Sequence, residues 1–98
     1  MAEPQHWHIV MYDVSDPAAL RQTHKLLKSW GRALQYSVFR VRCTARGLEQ
    51  LRCELEELLD PSDRLLIARL CPTCAGRVIM RGRDVVSFAL EPPPFTAV

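Results

Sequence analysis

The chain is 98 residues long, with 48% hydrophobic and 24% charged residues and a formal net charge of +2. That composition excludes a disordered chain and leaves room for one domain, which at this size buries about two thirds of the surface its unfolded chain exposes, so a partner subunit would help it. No apolar run approaches the roughly 20 residues of a membrane helix, and Met1 to His6 lacks the basic and apolar regions of a secretory signal, so a cytoplasmic protein with no membrane contact is expected.

His8 to Asp13 is a short apolar, β-branched run ending at a carboxylate, which predicts a strand delivering Asp13 to the rim of a sheet. Asp16 and Pro17 then read as N-cap and first residue of a helix over about 17–30, with Gly31 as a left-handed stop. Arg21, Lys25 and Lys28, at spacings of four and three, form one cationic stripe on its outer face. The segment from Ala33 to Arg42 is rich in β-formers with both faces partly apolar, and periodicity leaves open one bent strand or a very tight hairpin. Thr44 caps a second amphipathic helix carrying Leu48, Leu51, Leu55, Leu58 and Leu59, ended by Asp60-Pro61, and its polar face reads as solvated surface.

Further strands are expected over 64–70, 77–81 and 85–90, with turns at Gly76 and Gly82. Pro92-Pro93-Pro94 is neither helix nor central strand, so the domain is drawn over 1–91 and a proline-led C-terminal arm over 92–98. Two helices interleaved with strands give an α+β sandwich, most simply βαββαβ with an extra C-terminal strand. Both helices then cover one sheet face. Because Trp7, Ile9 and Met11 alternate with His8, Val10 and Tyr12, the first strand is apolar on both sides, and the open face calls for a second sheet, as in a homodimer packed sheet to sheet.

The 4 cysteines include Cys71-Pro72-Thr73-Cys74, half a zinc knuckle or a redox pair by spacing, but Cys43 and Cys53 make no second half. His6, His8 and His24 lack a ligand pattern, and no phosphate loop or hydrolase triad is present. Asp13 remains. If two copies of its strand meet at a two-fold axis, two like charges must share a proton or bind a cation, for which Mg²⁺ with oxygen ligands is the natural solution. Such an ion would activate water against a phosphodiester while arginines hold the phosphates. Asp13 is therefore the candidate catalytic residue and metal ligand, and Tyr12 beside it is taken as a second catalytic candidate.

Tyr12-Asp13-Val14-Ser15-Asp16, Leu26-Leu27, Gly31-Arg32 and Gln35-Tyr36-Ser37-Val38-Phe39, continued by Asp60-Pro61, Asp63-Arg64-Leu65, Leu70-Cys71 and Cys74, resemble CRISPR-associated adaptation protein two, the small partner of the CRISPR integrase. The resemblance covers about residues 7 to 90. It implies a ferredoxin-like fold, the region from Gln35 as a tight strand pair, and a homodimer completed by exchanged C-terminal strands, with Phe39, Val85, Val86 and Phe88 at the interface. It also implies Mg²⁺ held by Asp13 from each subunit, and a metal-dependent endonuclease activity on RNA or DNA in some members. The family bridges two integrase dimers while holding duplex DNA on a basic surface; Arg21 and Arg32 match positions that are commonly basic there, and Lys25, Lys28, Arg40 and Arg42 are the further candidate nucleic-acid contacts. Two features depart from its pattern: Arg21 stands alone after Pro17-Ala18-Ala19-Leu20, and Arg40 stands where an acidic residue is frequent. A ribonuclease toxin on the same scaffold is the rival reading.

Overall fold

Strand β1, His6–Asp13, runs through the middle of the molecule and turns at once into helix α1, Pro17–Trp30. The computed structural model describes residues 3–82 and Phe88. Asp16 caps α1 as its sequence demands: its carboxylate accepts the Ala19 N–H at 2.9 Å, and Pro17 occupies the first turn, where no donor is missed. The chain continues through β2 (Gly31–Gln35), β3 (Val38–Cys43), α2 (Ala45–Leu58), β4 (Arg64–Leu70) and a short α3 (Pro72–Gly76). Thr44 Oγ1 accepts the Gly47 N–H at 3.0 Å and starts α2.

The sheet order is β2-β3-β1-β4, with every neighbouring pair antiparallel. This is the expected βαββαβ layout: β3 separates β1 from β2, and β1 separates β3 from β4, so each helix crosses over on the same face. Val10, Tyr12, Phe39 and Val41 point to that face and pack with Leu27 of α1 and Leu51 and Leu55 of α2, all 5% exposed or less. Burying them is a leading favourable term in folding. The opposite face carries Met11 paired with Leu66, Ile9 with Ala68, and Trp7 with Leu70 along β1 and β4.

One choice left open by periodicity is decided, in favour of the tight strand pair that the resemblance implies, and three expectations need correction. Ala33 to Arg42 is a hairpin, and Leu34 is an extra residue in it, since Ala33 pairs with Phe39 and Gln35 with Val38. That bulge is why alternation alone was ambiguous. Gly31 does not stop α1 in a left-handed conformation: its φ of −164° and ψ of −154° are extended, and it opens β2. Residues 77–81 form no strand: Pro72 starts α3 where a turn was expected, and among the described residues the segment that leaves it has no ladder partner. Phe39, expected at a dimer interface, is 0% exposed inside the protomer. Phe88 also buries within the chain, edge-on to Trp7 at 5.6 Å. The expected strand over 85–90, the interface residues Val85 and Val86, and the arm over 92–98 otherwise lie outside the described residues.

Candidate functional site

Asp13 is the last residue of β1, exposed, and opposite Arg64 in the ladder with β4. A hollow of about 570 Å³ beside it is lined by Met11, Tyr12, Asp13, Asp63, Arg64, Leu65 and Leu66. Asp63 is committed to the backbone: Oδ1 accepts the Ser15 N–H at 3.3 Å and Oδ2 the Asp60 N–H at 3.0 Å, which fixes the β1–α1 connection against the loop before β4. Asp13 therefore offers this rim its uncommitted carboxylate. Among the described residues no group of three or more His, Cys, Asp or Glu side chains converges.

Tyr12, one residue earlier, points to the other side of the sheet. Its hydroxyl lies 3.2 Å from His24 Nδ1 and donates to the Tyr36 carbonyl at 3.4 Å, while its backbone N–H donates to the Ser37 carbonyl at 3.2 Å. Burial, and then the neighbouring Tyr36, push the Tyr12 phenol above its ordinary value. The ring is thus a clamp on the β2–β3 turn, and Tyr12 and Asp13 do not share a side of one protomer. His24 is set by Phe39, whose ring it meets edge-on at 5.2 Å.

The six expected nucleic-acid contacts divide into two groups. Arg21, Lys25 and Lys28 stand exposed on α1 and line a hollow of about 370 Å³ with Tyr12, Leu20, His24 and Tyr36. Arg32, Arg40 and Arg42 lie on the open sheet face, where Arg40 and Arg42 cover the Trp7 ring at 4.6 and 5.7 Å. Burial, and then the charge of Arg32 across the ladder, lower the Arg40 guanidinium from its ordinary value. Among the described residues the ion pairs use other cations, Arg46 with Glu3 and Arg52 with Glu49 and Glu56, so the α1 stripe is left to meet anions.

Cys71 and Cys74 have a structural use: Cys71 Sγ accepts the Cys74 N–H at 3.3 Å and caps α3. That hydrogen bond holds the Cys71 thiol below its ordinary value, and Cys71 in turn raises Cys74. Cys43 is buried, and Cys53 lies exposed on α2.

The family model for "CRISPR associated protein Cas2" matches residues 6–78, from the start of β1 to just past α3. The chain belongs to the Cas2 family. A Thermus thermophilus protein, CRISPR-associated endoribonuclease Cas2, is 34% identical over 88 residues, spanning 89% of this chain and 93% of the relative. A Rhodospirillum rubrum protein, CRISPR-associated endoribonuclease Cas2 1, is 35% identical over 69 residues, covering 69% of this chain and 68% of its own. Among solved structures, the hypothetical protein TT1823 from Thermus thermophilus superposes with a TM-score of 0.73 at 33% identity, over 82% of this chain and 94% of the other. Streptococcus pyogenes Cas2 superposes with a TM-score of 0.70 at 28% identity, over 78% and 99%. The α+β, ferredoxin-like fold is therefore that of Cas2 structures.

In this Cas2-family chain, sequence reasoning missed two residues beside the α1 stripe, His24 and Tyr36. A signal for His24 was present, since it stands three residues after Arg21 and four before Lys28 and so shares their helix face. Tyr36 had no signal, because its outward turn position depends on the Leu34 bulge.

Proposed function

We propose that this Cas2-family chain acts as a homodimer that bridges two CRISPR integrase dimers and holds prespacer duplex DNA by its phosphates, reading no sequence. The observation that carries the reading is the exposed α1 stripe, three cations on one helix face that no carboxylate of the described residues neutralises. Such a stripe suits a polyanion and carries no base-specific geometry. Arg32 and Arg42 supply a second cationic patch on the open face. In a fluorescence anisotropy titration of a duplex of about 30 base pairs, affinity should fall steeply with salt and stay the same when the sequence is scrambled. Alanine at Lys25 or Lys28 should lower the salt slope by about 1 each. A salt-independent affinity would overturn the reading.

A metal-dependent endonuclease step is the second activity of the same dimer, favoured by Asp13 at the rim and by the names of the relatives. The residues present fit Mg²⁺: one uncommitted carboxylate per protomer, doubled by the two-fold axis, matches an ion that takes one or two carboxylates and completes its shell with water and phosphate oxygen. When bound, the ion would supply Lewis-acid polarisation of a phosphodiester and an activated water. The protein's own part is modest. Asp13 would hold the ion, Arg64 opposite it in the ladder would neutralise phosphate, and Asp63 keeps the rim in place through its two backbone hydrogen bonds. Labelled RNA and duplex DNA should be cut with Mg²⁺ and not with EDTA, and Asp13→Ala should abolish cutting while the dimer persists. Equal cutting by wild type and Asp13→Ala overturns this step and leaves the bridging role. A ribonuclease toxin has no observation of its own here.

A further inference from the structure

The hollow between α1 and the β2–β3 turn has more in it than a phosphate-binding stripe needs. Its volume of about 370 Å³ is at the small end of ligand sites, sized for one nucleotide. Its charged walls are Arg21, Lys25 and Lys28, with no carboxylate among the lining residues. On one wall the Tyr36 ring stands 75% exposed, a large aromatic presented at the tip of a two-residue turn. The floor is the Tyr12–His24 pair, held by the 3.2 Å contact to His24 Nδ1, which leaves the other ring nitrogen for a ligand. Leu20 adds an apolar side.

We propose that this hollow is a subsite for one unpaired nucleotide, whose base stacks on Tyr36 against Leu20 and whose phosphate is held by Arg21, Lys25 and Lys28. The inference rests on the nucleic-acid reading above and deepens it. A paired duplex offers phosphates to the stripe but keeps its base faces stacked, so it has no use for an exposed ring beside an imidazole. An unpaired nucleotide, at a duplex end or in a single strand, presents the free π-face that aromatic platforms take, with a charge that cationic grooves guide. The Tyr12–His24 floor then meets the base edge. Because Tyr12 also clamps the turn that carries Tyr36, the platform is held at a fixed distance from the cations.

The test is a titration of the full chain with adenosine monophosphate, and separately with inorganic phosphate at equal ionic strength, followed through the Tyr36 ring and His24 imidazole NMR signals. Adenosine monophosphate should shift both signals saturably at millimolar concentration, and phosphate alone should shift only amides of α1. Tyr36→Ala, at an exposed position, should fold normally and weaken the nucleotide at least about 5-fold, the low end of one base–aromatic stack. The subsite is overturned if adenosine monophosphate leaves both side chains unmoved, if phosphate alone reproduces the shifts, or if Tyr36→Ala binds the nucleotide as wild type does. Duplex titrations on the same samples separate the two claims. Duplex held with no nucleotide response sinks the subsite alone, and nucleotide bound without duplex affinity sinks DNA holding while upholding the subsite.

Discussion

His8 shows how one residue can be read correctly in its place and still conceal its effect. It alternates with Trp7 and Ile9 as expected of β1, but its side turns out to be the helix side, where it is 2% exposed with Nδ1 3.8 Å from Cys43 Sγ. His6, two residues earlier, stays at the sheet end, where its Nε2 accepts from Arg69 at 2.8 Å. Burial lowers the His8 pKa below its ordinary 6.5, and the charges of His6 and Arg69 push the same way against its backbone hydrogen bonds. A lowered histidine binds fewer protons folded than unfolded, so its contribution to stability is whole above pH 6.5 and drains away as pH falls toward the folded value. Urea unfolding across the range from about pH 7.5 to about pH 5 should therefore show stability falling by at most about 1.4 kcal/mol per pH unit from this one group. His8→Gln, less stable at the upper end of that range, should lose that part of the slope. An unchanged slope would assign the acid sensitivity to other groups.

Elements with local causes were legible, and those set by contacts were not. The bounds of α1 and α2 follow from Asp16-Pro17 and Thr44, because a cap is satisfied within three residues. β4 was legible from composition, as was β1 with Asp13 at its end. The hairpin was ambiguous because the Leu34 bulge breaks the period of 2, and α3 was missed because Cys71-Pro72 was weighed as a ligand motif when it was a cap and first turn. Of the candidate site, the charges were legible and their grouping was not, since Tyr12 and Asp13 differ by one residue and so by a whole sheet face. The Tyr-Asp and Gln-Tyr-Ser motifs that carried the resemblance prove to touch, Tyr12 bonding the carbonyls of Tyr36 and Ser37. At Gly31 the contact that sequence could not show is steric. A Cβ there would collide with the Arg40 carbonyl oxygen and sit 3.0 Å from its carbon, so glycine is required by a close approach of two strand backbones. Gly31→Ala should cost about 1–3 kcal/mol by denaturant midpoint, through overpacking, although φ suits alanine. A variant as stable as wild type would mean that β2 can move off β3 at no cost.

At the scale of the whole molecule, one sheet face is covered by α1 and α2, and the other is treated differently at its two ends. Near the start of β1, Trp7 is overlaid by Arg40, Arg42 and Phe88 of the same chain. Near its end, Met11 and its partner Leu66 remain 37% and 50% exposed, next to Asp13. Paired apolar side chains left bare at the rim of a four-stranded sheet are what the second copy of the proposed homodimer would cover, and a two-fold axis there would bring the two Asp13 carboxylates to the same place. On the proposed reading, dimerisation and metal binding would then be one event, since without the partner a single carboxylate per site would remain. Leu66→Asp should turn a dimer into a monomer by size-exclusion chromatography with light scattering, keep its circular dichroism spectrum, and lose Mg²⁺-dependent cleavage although Asp13 is intact. Duplex binding should survive in weakened form, since each α1 stripe is whole but no longer doubled. A Leu66→Asp protein that stays dimeric would move the interface off this face and leave the two Asp13 residues apart.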